Sequence, residues 1–264
     1  MSLEQARGNG AGIMAEEAYP VILGVYSLQK ETGIGIGGTS SKQHQMSYWY
    51  VRKLGTDSYE VQPLNVHHVP SGLRREIKEL EFLRQYVPEP SYYRTNTVPA
   101  LKTLARKVAE GEKYFAEGKL DDAEKQFLKA LMIDELSVQA NYGLGEVYSE
   151  KKDFIKLKKV LDTLIGLDEA FKEEQRGRFN QFGICLRKNG HYDESLRFYS
   201  RSLEFNDRDE NVYFNIARVH FDKGDKETCI EHLRKALQIN PGFKEAVKFL
   251  RFCGAGPAPQ TAPA

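Results

Sequence analysis

Cysteine is scarce in this chain. There are 3 in 264 residues, Cys185, Cys229 and Cys253, too few and too odd in number for a disulfide framework, which fits a reducing cytoplasm. Long apolar runs are missing too, and nothing approaches the ~20 residues that span a bilayer. The opening segment MSLEQARGNGAGIMAEEAY has no basic stretch leading into an apolar one, so it does not read as a secretory signal. Charge of one sign is also absent. The 38 Lys+Arg face 37 Asp+Glu, a formal net charge of +1, and the balance holds on both sides of Val98. A phosphate backbone or an anionic lipid surface would select a basic surplus. Nucleic-acid binding and membrane insertion are therefore not expected.

What is present is a repeat. Small and aromatic residues align with a period of 34 residues, in blocks Leu104–Ser137, Val138–Phe171, Arg176–Asp209 and Glu210–Phe243. The eighth position holds Gly111, Gly145, Gly183 and Ala217, and the twentieth Ala123, Leu157, Ser195 and Cys229. The twenty-seventh holds Ala130, Leu164, Ser202 and Ala236. Lys172–Gln175 interrupt the phase once. Each block reads as two amphipathic helices around a break. In the first, Val108, Gly111, Tyr114 and Phe115 share a face, Glu117-Gly118-Lys119 punctuates, and Leu120, Ala123, Phe127, Ala130 and Leu131 resume at three- and four-residue spacing. Small residues at fixed positions mark where helices cross closely. In the second block, Leu157, Leu161 and Leu164 replace the small–aromatic–small set, and splayed packing is expected there.

Residues 104–243 resemble the tetratricopeptide repeat (TPR) family, on segments such as AEGEKYFAEGKLDDAEKQFLKAL, LGEVY and CIEHLRKALQINP. The resemblance implies a mostly α fold: a TPR-type α-solenoid of about four helix-turn-helix repeats, with Lys244–Cys253 as a capping helix. It also implies a superhelix whose inner wall is built from the first helix of each repeat. The family's inward positions fall here on Glu112 and Phe115, then on Tyr142, Glu146 and Glu150. The third repeat supplies Asn180, Gln181, Ile184, Arg187 and Lys188, and the fourth Asn211, Phe214, Asn215, Arg218 and Phe221. Amide side chains can pair with both the C=O and N–H of an extended peptide, and aromatics supply anchor area. The wall would be acidic near Glu112, Glu146 and Glu150 and basic near Arg187, Lys188 and Arg218, so a bound segment would be oriented. TPR cochaperones that hold acidic chaperone tails use a clamp of Lys, Asn and Arg. The matching positions here are Val108, Glu112, Gly143, Gly177 and Gln181, which do not make that clamp.

The first hundred residues differ in kind. Residues 1–18 and the tail 254–264 are Gly/Ala- and Pro/Ala-rich and are expected to be disordered. Residues 19–87 are expected to form a small β-rich α+β domain. Its strands are Pro20–Leu28, Ser47–Leu54 and Tyr59–Leu64, with a hairpin loop at Gly55–Ser58. One helix is expected over Ile77–Tyr86, with helical spacing at Ile77, Leu80, Leu83 and Tyr86, stopped by Pro88 and Pro90. Residues 88–99 read as a Pro-containing linker, and 100–253 as the solenoid.

Candidate chemistry is thin. Gly33 to Gly38 satisfies G-x-G-x-x-G, yet a strand-like run follows where a dinucleotide site needs a helix. Lys42 with Ser40 and Ser41 could still grip an anion. Cys229, His232 and His220 could supply three metal ligands, but Cys229 and His220 occupy packing positions. Asp121-Asp122 look like helix-start charges, and no catalytic triad has local context. No cofactor, metal or catalytic residue is assigned. The expected function is a non-enzymatic cytoplasmic adaptor or scaffold that binds an extended peptide or partner protein in the TPR groove, with self-association left open. The alternative is ligand or nucleotide sensing through Gly33–Lys42. A third mode has Pro88–Pro99 or a terminal tail occupying the groove in cis.

Overall fold

The computed structural model describes residues 19–34 and 41–255, with side chains outside 29–45. The stretches 1–18 and 256–264 and the glycine loop 35–40 lie outside the described residues, and so do the expectations that fall on them. The chain divides into two compact units, Met1–Pro99 and Ala100–Ala264.

In the first unit, β1 (Val21–Ile34), β2 (Ser41–Lys53), β3 (Ser58–Pro63), β4 (Arg75–Lys78) and β5 (Tyr86–Pro88) make one antiparallel sheet in the order β4-β3-β2-β1-β5. Side chains alternate across the pleat. Leu28, Val51, Tyr59, Val61 and Ile77 therefore gather on one face. Helix α1 (Glu79–Gln85) lays Phe82 on that face, its ring stacked on Tyr59 at 4.3 Å. The opposite face carries Val25 and Tyr50. It is covered by α2 (Pro90–Tyr92) and the π-helical turn Tyr93–Thr97, where Tyr92 stacks on Tyr48 at 4.0 Å and Tyr93 lies 6.1 Å from Tyr50.

Several expectations for this region need correction. β1 and β2 are longer than expected, and β4 and β5 were not foreseen. The helix is seven residues long rather than ten, and of the four spaced residues Ile77 and Tyr86 are buried as strand residues while the two on the helix are not. Leu80 and Leu83 are 81% and 69% exposed, while Phe82 is 4%. The cause is Ile77, which pairs with Tyr59 in the sheet. A helical spacing counted from a strand residue slips out of phase at the junction. Residues 88–99, expected as a linker, are largely helical and pack on the sheet.

The second unit is a helical solenoid. Its pairs are α3 (Val98–Ala116) with α4 (Leu120–Ile133), α5 (Val138–Glu150) with α6 (Phe154–Ile165), α7 (Arg176–Lys188) with α8 (Tyr192–Leu203), and α9 (Glu210–Asp222) with α10 (Lys226–Ile239); α11 (Lys244–Phe252) follows. Ser137, Asp153, Asp209 and Asp225 each accept a backbone N–H at a helix start, which satisfies donors the helix leaves unpaired. Aromatic rings seat on the small residues. A Cβ at Gly111 or Gly143 would stand inside 3.0 Å of Phe127, one at Gly145 would strike Phe182, and one at Gly183 would strike Tyr199. The second repeat is not splayed. Leu157, Leu161 and Leu164 are buried in the solenoid core. The phase break is filled by 3-10 turns at Asp168–Phe171 and Glu173–Gln175. Phe171 is 4% exposed and plugs the core between Phe179, Phe198 and Phe205.

Two substitutions test this packing. Gly145→Ala is expected to destabilise by about 1–3 kcal/mol in urea unfolding, because Phe182 is fully enclosed and cannot retreat. A loss below about 0.5 kcal/mol would show that the contact is not tight. The turn between paired helices uses a left-handed residue at the same repeat position throughout: Gly118 (φ 73), Gly190 (φ 81) and Gly224 (φ 84), but Lys152 (φ 55) in the second repeat. A side chain there is strained. Lys152→Gly is expected to stabilise by about 0.5–1 kcal/mol, and an unchanged or lower unfolding midpoint would contradict that account.

Candidate functional site

The first helices α3, α5, α7 and α9 share one polar face, along which side chains of different repeats bond to one another. Arg178 on α7 forms an ion pair with Glu112 on α3, and the same guanidinium donates to the Gln139 carbonyl at 3.5 Å. Helices in contact are spaced roughly 8–10 Å apart. A pair that joins α3 to α7 over the intervening α5 therefore requires the face to curve inward. Glu146 on α5 lies beside this pair. Burial raises its carboxyl above the ordinary value, Glu112 raises it further, and Arg178 opposes both.

Farther along, Asn215 on α9 donates to the Asn180 side-chain oxygen on α7 at 3.1 Å. Arg187 at the end of α7 is paired with Asp222 at the end of α9. Arg218 lies over the Phe214 ring at 5.9 Å. Phe214 and Phe221 meet Phe249 of α11 at 6.1 and 5.1 Å.

The structure thus brings together Glu112 with Glu146, Asn180 with Asn215, and Arg187 with Arg218, Phe214 and Phe221. Gln181 and Lys188 are exposed on α7, and Asn211 is half-buried on α9. Phe115 is half-buried and packs against the solenoid core. Tyr142 is not on the face. It is 1% exposed, and its hydroxyl donates to the Ala170 carbonyl at 2.8 Å. That carbonyl lies in the 3-10 turn that ends the same repeat. Arg187 and Asn215 are each 7% exposed and serve the face as supports. The expected acidic-to-basic polarity is also flattened. Arg178 sits within the acidic end and Asp222 within the basic end. Arg178 lies one position outside the inward set, and a long guanidinium in that place was the available signal for it.

The other candidates resolve into structure. His220 Nδ1 lies 3.1 Å from Asp225 Oδ2, His232 Nδ1 is 2.9 Å from the Thr228 carbonyl, and the two rings stack at 5.4 Å. Cys229 is buried with its Sγ 3.9 Å from that of Cys253, and burial pushes its thiol up to about 12. A thiol held in its protonated form by burial is a poor nucleophile at neutral pH. Burial also raises the Cys185 thiol, which donates to Ser149 Oγ at 2.8 Å. Among the described residues, no three His, Cys, Asp or Glu are grouped to hold a metal, and no helix is long and apolar enough to cross a membrane. Gly33 pairs with Lys42 across β1 and β2. The described residues on either side of 35–40 are therefore strand residues, and a dinucleotide site needs a helix N-terminus where β2 stands.

Comparison with known proteins agrees with this architecture. Residues 210–243 match the family model for the Tetratricopeptide repeat. Over 145 residues the chain is 24% identical to the anaphase-promoting complex subunit CDC16 of Saccharomyces cerevisiae, covering 53% of this chain and 17% of that protein. Over 92 residues it is 30% identical to the photosystem I assembly protein Ycf3 of Synechococcus elongatus, covering 34% of this chain and 50% of that one. The chain therefore spans half or less of these relatives. Among solved structures, that of MamA aligns with a TM-score of 0.45 at 20% identity, covering 58% of this chain and 81% of that chain.

The raised Glu146 carboxyl predicts a pH dependence. As pH rises past the ordinary carboxylate value, the unfolded chain loses this proton before the folded chain does. Stability contributed by the protonated form is then lost until the folded value is passed. Glu146→Gln should be more stable than the parent at pH 7 and should show a smaller fall in that window. Parallel unfolding curves for the two proteins from pH 4 to pH 7 would count against this assignment.

Proposed function

We propose, on the premise that residues 104–243 form tetratricopeptide repeats, that this chain is a non-enzymatic cytoplasmic adaptor. It holds an extended segment of a partner protein against the face of α3, α5, α7 and α9. The Arg178–Glu112 pair over α5 is the observation that carries this reading, because it marks the inside of a curve, and a curved polar face can line a strand-like segment from several sides. Asn180, Gln181 and Asn211 offer amide groups along it. The relatives' names support the same class of role, one a complex subunit and the other an assembly protein. The β-sheet unit supplies a second contact surface.

The test uses the full chain and an array of degenerate twelve-residue peptides, followed by fluorescence polarisation with the best binder. Asn180→Ala with Gln181→Ala should weaken that binder about tenfold, the scale of one or two lost hydrogen bonds. If no peptide binds, or if the double variant binds as the parent does, this face is not the site. Added nucleotides should leave the melting temperature unchanged, whereas a ligand at 100 times its Kd would add about 2.7 kcal/mol.

A further inference from the structure

The last repeat and α11 enclose a cleft of about 260 Å³ lined by Phe214, Arg218, Phe221, Asp222 and Phe249. With Arg187 behind the wall counted, two cations face one carboxylate. The one carboxylate in the lining, Asp222, is engaged by Arg187, whose side chain is 8% exposed behind it. Arg218 has no hydrogen-bond acceptor and no ion-pair partner among the described residues; its near neighbour is the Phe214 ring. Burial presses on its guanidinium, as does the positive charge of Arg187, while the Asp222 carboxylate offsets part of this without forming an ion pair with it. A cation that no acceptor meets directly is costly in such a place, and an incoming anion relieves it. The remaining wall is aromatic. Phe249 lies 5.1 Å from Phe221, which in turn lies 5.7 Å from Phe252. Phe252 is 73% exposed, so an apolar shelf continues beyond the charged corner.

We propose that this cleft is a specificity pocket for a carboxylate carried next to a bulky apolar side chain in the bound partner segment, with Arg218 taking the carboxylate. A guanidinium presents paired N–H donors that match the two oxygens of a carboxylate. The rings give the neighbouring side chain apolar area to bury. A phosphate group or a polyanion fits less well, because the pocket offers one unpaired cation and Asp222 stands beside it as a repelling charge. The proposal rests on the reading of the face as a peptide-binding surface, and it adds the chemistry of the segment.

The experiment again uses the full chain and the degenerate twelve-residue array, now with each residue type fixed at each position in turn. Enrichment of Asp or Glu beside Leu, Ile or Phe is expected. The best acidic peptide, remade with Asn or Gln in place of the acid, should bind the parent about tenfold more weakly. Arg218→Gln should bind the two peptides equally. Arg218 is half-buried and unpaired, so this variant should keep its fold, and an unchanged circular dichroism spectrum verifies that. Arg218→Lys keeps the charge without the fork and should fall between the two.

Several results would overturn the proposal. Peptides that bind the parent with no preference for the acid would remove the pocket and leave the adaptor reading intact. An acid preference that survives Arg218→Gln would place the carboxylate elsewhere. Acid-dependent binding that appears only after deletion of residues 256–264 would make the chain's own tail the occupant, and self-association lost in Arg218→Gln would make it a second copy. If no peptide binds at all, the adaptor reading fails first and takes this proposal with it.

Discussion

An aromatic ring from one helix seated on a glycine of another sets the spacing of the solenoid. Phe127 lies between Gly111 and Gly143, Phe182 lies on Gly145, and Tyr199 lies on Gly183. Each contact excludes even a methyl group, and dense interiors do not absorb such an intrusion. The rings also join the repeats in series, since Phe127 touches glycines of two successive first helices. In the last repeat Ala217 takes the glycine's place, fully buried, with Cys229, Leu233, Ala246 and Leu250 around it.

Close approach of the first helices has a direct consequence for the polar face. Side chains from successive repeats come near enough to pair, as Asn215 does with Asn180 and Arg187 with Asp222. Arg178 reaches past a whole helix to Glu112. Polar groups that satisfy one another in this way are held in place, and held groups lose less entropy when a partner arrives. The same pairing removes charge from the surface. What stays unpaired is local, and Arg218 is the clearest instance.

Much of this architecture was legible in the sequence because each repeat restates the same physical requirement. A glycine or alanine at the eighth position, a turn residue seven positions later and a buried residue at the twentieth recur in phase, and the helix pairs follow. The sheet unit had no such redundancy. Val25, Tyr50 and Val51 look like strand residues one by one, yet β4 is four residues long and carries too little pattern to be seen alone. A helical spacing counted from Ile77 starts on that strand, so it runs out of phase with α1, where Phe82 is the buried residue. The site shows the same divide. Glu112, Glu146, Asn180 and Arg218 follow from repeat position, whereas buried Tyr142 is tied to the Ala170 carbonyl, 28 residues away at the end of the same repeat.

The near-equality of acidic and basic residues is a property of the sequence alone, and so are the 34-residue period and the helix–turn–helix grammar. These are set by composition and by contacts close along the chain. Which charges are spent on each other and which remain open to a partner was decided only by the tertiary structure. Arg178 and Glu112 are 66 residues apart, and Arg187 and Asp222 are 35 apart. Whether such groups meet depends on the curvature that the ring-on-glycine contacts impose. That curvature is a sum over many packed interfaces, so no local segment encodes it.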